Sequence, residues 1–195
     1  MKKYRYVHLA PPCATFSRWP VLTGTSSRTK ENPWGTEPDG PRGREAIHNI
    51  LVKNAKRIIQ VCDEVGVYFS LENPSSSLMW RCLEDLPGHW FEWAMCSYGS
   101  AHYKPTAILT NAWWLQAMQK PCMGGHKHVW LMGKVNGVWR TSLAAAYPEQ
   151  LCEFWVSLIK QYAWVEEPPT KKLRMWLPKE PVSYTHLTLP TKRIV

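Results

Sequence analysis

The sequence predicts an α/β fold with a mostly parallel sheet. Three consecutive segments carry this prediction: a short strand over residues 4–9, a long amphipathic helix over 44–65, and a continuous apolar strand over 67–71. A strand, a helix and a second strand form a βαβ unit, which joins parallel strands by a right-handed crossover. The chain has 195 residues, which corresponds to about one domain.

The helix over 44–65 has the clearest periodicity in the chain. Gly66 is expected to end it. Before it, residues 20–43 are rich in Gly, Pro, Ser and Thr, which predicts a long mobile loop of the kind that often carries function. The helix is expected to bury a stripe made of Ile47, Ile50, Leu51, Ile58, Ile59, Cys62 and Val65.

The second half of the chain continues the pattern. Two strands are predicted over 94–98 and 106–111, joined by a turn that contains Gly99. A helix over 148–162 follows, with Pro148 in its first turn. One face of that helix carries Leu151, Phe154, Trp155, Leu158 and Ile159.

The C-terminal region is expected to lie outside the domain, which we assign to residues 1–167. Residues 168–182 read as a basic, proline-rich tail. Residues 183–195 resemble the peptide obtained when sequencing-adapter DNA is translated, and we exclude them from fold reasoning as such an artefact.

The charge of the chain predicts an anionic partner. Lys and Arg number 24 against 15 Asp and Glu, a formal net charge of +9. Such a chain is attracted to polyanions, nucleic acid above all, and its 12 Trp and 8 Tyr offer surfaces for base stacking. The alternative is that the Trp side chains are mostly core. No apolar run reaches membrane-spanning length and no secretory signal follows Met1, so we expect an intracellular protein without a membrane partner, cytoplasmic or, in a eukaryote, nuclear.

Two reactive side chains follow the two strands of the predicted βαβ unit. Cys13 comes after two prolines that stiffen its loop, and Glu72 ends the apolar strand. Because ligands bind beyond the carboxyl ends of parallel strands, the pair is expected to form a nucleophile and a proton-handling partner, with Arg18 and Arg28 lowering the pKa of the Cys13 thiol. The alternatives are a packed loop cysteine and a glutamate with a structural hydrogen bond.

The six cysteines are scattered and include no Cys-x-x-Cys pair, which favours free thiols over a disulfide framework. Cys122, His126 and His128 lie within seven residues and offer three zinc ligands, with Cys96 or Cys152 as the fourth. Without the Cys-x-x-Cys spacing, the sequence favours a polar loop with no metal, and zinc is the minor alternative.

Several motifs together resemble one enzyme family. The segment Ala-Pro-Pro-Cys-Ala-Thr-Phe-Ser-Arg at 10–18 resembles the Pro-Cys motif of the DNA cytosine-5 methyltransferases. The segment Glu-Asn-Pro at 72–74 resembles their Glu-Asn-Val motif, in the form seen in diverged phage and mobile-element homologues. Residues 96–111 are similar to a later strand pair, and Ala-Tyr-Pro at 146–148 to the last motif. The resemblance covers about residues 5–160.

The resemblance implies a partial Rossmann-like methyltransferase fold with a short recognition insertion at about 111–140. It implies transfer of a methyl group from S-adenosylmethionine to C5 of cytosine in DNA. Cys13 would add to C6 of a flipped-out base, while Glu72 would bind N3 and the exocyclic amine. The 20–43 loop would close as a lid. Substrate contacts would come from Pro12, Ser17, Arg18, Asn73, Pro74 and Lys104, phosphate contacts also from Arg28 and Lys30, and cofactor contacts from Tyr147 and Pro148.

Two departures from the family shape these expectations. His102 and Lys104 stand where the family has a Gln-x-Arg-x-Arg pattern, and Lys does not replace a bidentate Arg. The Gly-rich loop of the methyl-donor site would precede Tyr4, and Gly24 and Gly35 do not fit it. We therefore expect the catalytic half of such an enzyme: either the chain is truncated at Met1, or a separate polypeptide supplies the cofactor-binding half. The alternative is a non-catalytic, basic nucleic-acid-binding remnant of the fold.

Overall fold

A computed structural model describes residues 4–35 and 43–165 of the chain. Its centre is a four-stranded sheet with the strand order β1-β2-β4-β3. The mixed α/β class predicted from the sequence is therefore confirmed. The strands are β1 (Tyr6–Leu9), β2 (Tyr68–Pro74), β3 (His89–Ala94) and β4 (Pro105–Thr110).

The direction of the strands differs from the expectation of a mostly parallel sheet. Among these four strands, only β1 and β2 pair in parallel, with Leu9 opposite Leu71, whereas β4 runs antiparallel to both β2 and β3. A parallel connection needs a crossover of about a dozen residues or more. The helix between β1 and β2 provides one, but the short connection between β3 and β4 does not. The sheet is thus mostly antiparallel by its pairings.

The helices largely follow the predicted pattern. They are α1 (Arg18–Leu22), α2 (Arg44–Val65), α3 (Arg140–Leu143) and α4 (Glu149–Leu158), which continues as a π-helical turn over Ile159–Ala163. Gly66 ends α2 with a φ of 66°, a left-handed conformation that glycine adopts without a steric cost. No helix in the described part of the chain is long and apolar enough to cross a membrane.

One predicted strand is wrong. Residues 94–98 form a 3-10 helix, Met95–Tyr98, and the strand lies just before it as β3. The strand alternates exposed and buried side chains, with Phe91 and Trp93 inside. Further 3-10 helices span Leu78–Leu83 and Trp113–Met118, and a small hairpin joins β5 (Lys134–Val135) to β6 (Val138–Trp139).

The buried face of α2 also differs from the predicted stripe. Of the seven stripe residues, only Ile59 and Cys62 are buried, and Ile58 is 42% exposed. The helix turns its other side inward, which buries His48 and Asn49 near the charged Arg28 side chain. An apolar periodicity of 3.6 residues identifies a helix but does not settle its rotation when polar side chains have buried partners. The residues that α2 buries are His48, Asn49, Val52, Ala55, Ile59, Cys62 and Asp63.

The sheet separates two hydrophobic clusters. Side chains alternate along β2, so that Phe69 and Leu71 pack toward α2 while Tyr68 packs toward α4. The same alternation places Tyr6 on the α4 side of β1. Glu72 is two and four residues beyond Ser70 and Tyr68, and it therefore faces α4 as well.

Candidate active site

The structure places Cys13 and Glu72 at the same end of the β1–β2 pair. Glu72 directly follows Leu71, whose partner Leu9 is the last residue of β1. The loop that carries Cys13 is tied to this end by a hydrogen bond of 2.9 Å from Asn73 Nδ2 to the Pro11 carbonyl. The parallel pairing of β1 and β2 therefore brings together two side chains that lie 59 positions apart in the sequence.

Glu72 is buried and only partly satisfied. It is 5% exposed, and its Oε2 atom accepts a hydrogen bond of 2.9 Å from the Tyr147 hydroxyl. Its Oε1 atom is also buried and has no hydrogen-bond partner among the described residues. Burial raises the pKa of this carboxyl, against the opposing effects of Lys104 and of the Tyr147 hydrogen bond. A carboxyl with a raised pKa and a free oxygen is suited to hold a proton for a ligand.

Cys13 shares the electrostatic environment of Glu72. Burial raises the pKa of its thiol, the positive charge of Lys104 lowers it, and the negative charge of Glu72 raises it. Lys104, which is half-buried, is the cation that acts on both groups. The expectation that Arg28 gives Cys13 a lowered pKa is wrong, because burial leaves the pKa of this thiol raised and the cation that opposes the effect of burial is Lys104.

Arg28 is a structural residue and does not reach the surface. Its side chain is buried, with Nη1 donating to the Pro33 carbonyl at 2.7 Å and to Asn49 Oδ1 at 2.8 Å. Nη2 donates to Thr15 Oγ1 at 3.2 Å, and the guanidinium lies 3.7 Å from the centre of the Phe16 ring. Arg28 therefore anchors the loop next to Cys13, and the predicted phosphate contact is corrected.

The described part of the predicted mobile loop is also anchored. Ser26 and Ser27 both donate hydrogen bonds to the Glu45 carboxylate at the start of α2. These bonds, together with Arg28, hold residues 26–35 against α2. Residues 36–42 of the predicted loop lie outside the described residues.

A hydrogen-bonded chain that sequence reasoning missed leads from the core to Glu72. Tyr147 donates to Glu72, so its oxygen can accept from His8 Nε2, 3.1 Å away. The other ring nitrogen of His8 lies 2.8 Å from Ser70 Oγ, which in turn contacts the Tyr6 hydroxyl. Only the alternation of β1 and β2, which puts these side chains on one face, could have indicated them.

The direction of this chain follows from the Glu72 end, because Tyr147 gives its one hydroxyl proton to Glu72 and must therefore accept from His8 Nε2. The indole of Trp155 can only donate, and its Nε1 lies 2.8 Å from the Tyr6 hydroxyl oxygen. Tyr6 then donates to Ser70, Ser70 to His8 Nδ1, and the proton on His8 Nε2 points to Tyr147. Burial lowers the pKa of His8, which favours this neutral form even though part of the ring keeps solvent access.

The remaining predicted substrate residues surround this end of the sheet. Pro12 is exposed, the Ser17 hydroxyl donates to the Ala14 carbonyl at 3.3 Å, and the Pro74 carbonyl accepts a 2.8 Å bond from Trp80 Nε1. Arg18 begins α1, and its side chain lies outside the description. Lys30 is exposed and lines a cavity of about 660 Å³ with Ser75, Trp80, Arg81 and Trp90.

The two predicted cofactor residues lie at the start of α4. Tyr147 and Pro148 line a shallow cleft of about 370 Å³, together with Tyr98 and Gln150. The Tyr147 hydroxyl, however, is bound to Glu72 and His8. The structure thus connects Tyr147 to the candidate catalytic carboxyl.

The predicted recognition region is divided in its exposure: Trp114, Leu115 and Met118 are buried in the core, whereas the part after Met118 is largely exposed. Trp130 is 79% exposed and Trp139 is 56% exposed. Lys134 Nζ lies 4.8 Å from the centre of the Trp139 ring. The hairpin turn at Asn136 and Gly137 has positive φ at both residues, as a two-residue turn of this type requires.

The predicted metal ligands also come together. Cys96, Cys122, His126 and His128 present ligand atoms that all lie within 4.8 Å of one another. Cys152, the other candidate for a fourth ligand, is exposed on α4 and is not a member of this cluster.

Comparisons with known proteins add no relative. No family model, no curated protein and no solved structure matches this chain.

Proposed function

We propose that this chain is the catalytic half of a DNA cytosine-5 methyltransferase. The observation that carries the proposal is the convergence of Cys13, Glu72 and Lys104 at one end of the β1–β2 pair. A thiol, a buried carboxyl and a cation are the groups needed to activate a cytosine ring, and their motifs resemble those of that family.

The residues divide the first chemical step between them. The Cys13 sulfur, as its thiolate, forms a bond to C6, and the electron pair of the C5–C6 double bond moves toward C5 and the N3 side of the ring. Glu72, whose pKa is raised by burial, supplies the proton that N3 takes up. Lys104 favours the thiolate electrostatically. The ring thereby becomes an enamine with a nucleophilic C5.

S-adenosylmethionine would supply the methyl group that C5 takes up. Tyr147 and Pro148 are the residues of this chain that we propose to face it, and a second polypeptide would supply the remainder of its site. The exposed apolar side chains of α2, among them Ile47, Ile50 and Ile58, offer a surface for such a polypeptide.

The proposal extends to DNA as the partner. Trp130 and Trp139 are exposed aromatic surfaces, and Lys134 and Arg140 lie beside them in the sequence. Exposed aromatic rings with neighbouring cations are typical of surfaces that stack bases and neutralise phosphates. This surface equally favours the second candidate function, a binding module without chemistry.

Exchange of the C5 hydrogen of cytosine tests the enzyme without a methyl donor. Addition of a thiolate to C6 lets C5 take up a solvent proton, and reversal then releases the original hydrogen. We expect the full chain to release tritium from DNA that carries 5-tritiated cytosine. Cys13→Ser and Glu72→Gln should lose at least about 10²-fold of that rate, in keeping with the size of acid–base effects. The exposed-thiol control Cys152→Ser should keep it.

Two results would contradict the catalytic assignment. If Cys13→Ser released tritium as fast as the unchanged chain, Cys13 would not be the nucleophile. If the unchanged chain released none, yet bound DNA with an affinity that falls steeply with salt and is the same in Cys13→Ala and Glu72→Ala, the binding module would be the correct function. With S-adenosylmethionine and the missing cofactor-binding half both supplied, DNA that contains 5-fluorocytosine should additionally trap a covalent Cys13 complex.

A further inference from the structure

The segment over 119–133 keeps a defined path with almost no apolar burial. Met123 is 89% exposed, Trp130 79% and Met132 62%. Ordering backbone costs about 1–2 kcal/mol per residue, which burial normally offsets. Interactions other than a hydrophobic core must therefore stabilise the conformation of this segment.

Backbone hydrogen bonds attach the segment to β3 near one end and to the β3–β4 connection near the other. Ala94 donates to the Lys120 carbonyl at 3.0 Å, and Val129 donates to the Ala101 carbonyl at 2.8 Å. Ser97 Oγ donates to the Pro121 carbonyl at 2.9 Å. Between these attachments lies the Cys/His cluster, which joins the 3-10 helix Met95–Tyr98 to the segment.

We propose that Cys96, Cys122, His126 and His128 form a structural zinc site. Their four ligand atoms are two sulfurs and two imidazole nitrogens, the set that tetrahedral Zn²⁺ takes in closed structural sites. Because all four positions are filled by protein, no position is left for substrate. The inference does not depend on the proposed methyltransferase chemistry.

The distances within the cluster agree with one tetrahedral ion. Zn–S bonds of about 2.3 Å and Zn–N bonds of about 2.0–2.1 Å set a sulfur–nitrogen edge of about 3.5 Å in a tetrahedron. Cys122 Sγ lies 3.5 Å from His128 Nε2 and 3.8 Å from His126 Nε2. Cys96 Sγ lies within 4.8 Å of each of the other three ligand atoms, so the second sulfur is adjacent.

The surroundings of the cluster orient its ligands. His126 Nδ1 lies 3.0 Å from the Gly124 carbonyl, which fixes the proton on Nδ1 and leaves Nε2 free to bind a metal. The Gly124 amide donates to Cys122 Sγ at 3.4 Å. Gly124 and Gly125 have φ values of 75° and 78°, so the turn that brings Cys122 and His126 together depends on glycine.

The site lies next to the strand connection that carries Lys104. Cys96 precedes Lys104 by eight residues, and the Met95 amide donates to the Lys104 carbonyl at 3.1 Å. Zinc would therefore fix both the 119–133 segment and the backbone that presents the cation to Cys13 and Glu72. It would also support the exposed Trp130 surface.

Metal analysis of the full chain, purified under reducing conditions from zinc-supplemented cells, tests the proposal. We expect about one zinc per chain, because four protein ligands complete one site. Replacement of the zinc by Co²⁺ should give the visible absorption of a tetrahedral thiolate complex. The double variant Cys96→Ser/Cys122→Ser should lose zinc content by at least about 10-fold, whereas Cys152→Ser and His102→Gln should retain it.

Hydrogen exchange provides a second measurement that needs no variant. Removal of the metal by a chelator should speed exchange at the Val129 amide and leave the Ile108 amide in β4 unchanged. The proposal is overturned if the unchanged chain takes up neither zinc nor cobalt. It is equally overturned if the double variant keeps its metal, or if the chain purified under reducing conditions still holds a Cys96–Cys122 disulfide.

Discussion

The sheet region and the 119–140 segment are built on different physical principles. In the sheet region most large side chains are buried, with Trp93 2% exposed and Phe69 and Ile108 fully buried. In the 119–140 segment, by contrast, the large side chains of Trp130 and Met123 are mostly exposed to solvent. Burial of apolar surface stabilises the first region. The second depends on a hairpin, a few backbone bonds and, in our proposal, a metal ion. Its exposed rings are consequently free to bind a partner.

Two tryptophans offer the sharpest contrast between these regions. Trp93→Ala should lower the free energy of unfolding by about 3–5 kcal/mol, because it removes a fully packed aromatic side chain. Trp130→Ala should change it by no more than about 0.5 kcal/mol, since that ring is mostly in solvent. Chemical denaturation monitored by circular dichroism measures both. Similar losses in the two variants would contradict the division into two regions.

Arg28 tests whether a buried cation belongs to the stable region. Arg28→Ala leaves Asn49 Oδ1 and two carbonyls without a donor, and should cost about 3–5 kcal/mol in the free energy of unfolding. Lys30→Ala, two residues away and exposed, is the matched control and should have almost no effect on stability. A loss of DNA affinity in Arg28→Ala without any loss of stability would restore the phosphate-binding role.

Substitutions in the exposed 119–140 segment should affect DNA binding more than the stability of the fold. Trp130→Ala should weaken the affinity for single-stranded DNA, or for DNA with a flipped-out base, by about 1–3 kcal/mol, the usual value of one stacked base. Trp113→Ala, which removes a half-exposed tryptophan outside the segment, is the comparison. Fluorescence anisotropy at fixed salt measures both affinities. Equal affinity for the unchanged chain and Trp130→Ala would remove this surface from the proposed DNA interface.

Glu72 joins stability to function within the sheet region. Its pKa is raised in the folded chain, so the fold favours the protonated acid. The stability that this acid contributes is present below its unfolded pKa and is lost as pH rises toward the folded pKa. Each unit of elevation corresponds to about 1.4 kcal/mol. Glu72→Gln, which cannot ionise, should therefore gain stability relative to the unchanged chain between about pH 4 and pH 7.

Denaturant unfolding of both proteins across this pH range measures the difference. A stability difference that does not vary with pH would show that Glu72 titrates normally. Glu45→Gln is the matched control, because the pKa of Glu45 is lowered and its effect has the opposite sign.

Local sequence patterns predicted helices and strands correctly where a single feature, such as periodicity or a glycine cap, dominated. The helix over 44–65 and its end at Gly66 are confirmed, as is β4, because periodicity and a glycine cap act within a few residues. The predicted buried face of α2 was wrong, and the reason is a contact with a distant part of the sequence. Arg28, sixteen residues before the helix, draws Asn49 into the core and thereby exposes Ile50 and Ile58.

The candidate site was predicted in the same uneven way. The motifs named Cys13 and Glu72, and the parallel β1–β2 pair brings both to one end of the sheet. His8, Ser70 and Tyr6 carry no motif, so only their shared face reveals that they extend from Glu72. The sequence could not tell which cation lies beside Cys13, because that depends on the fold: Arg28 is buried against α2, and Lys104 is the cation that acts on the thiol.

The sequence by itself determined the α/β class, the long helix, the two candidate reactive side chains and the five candidate metal ligands, because residue type and short-range spacing record them. Tertiary structure alone decided the antiparallel course of β4, the rotation of α2 and the choice of Cys96 over Cys152 beside Cys122. The physical reason is that these features depend on contacts between distant segments. Connection length, the burial of one charged side chain and the packing of one segment against the sheet decided them.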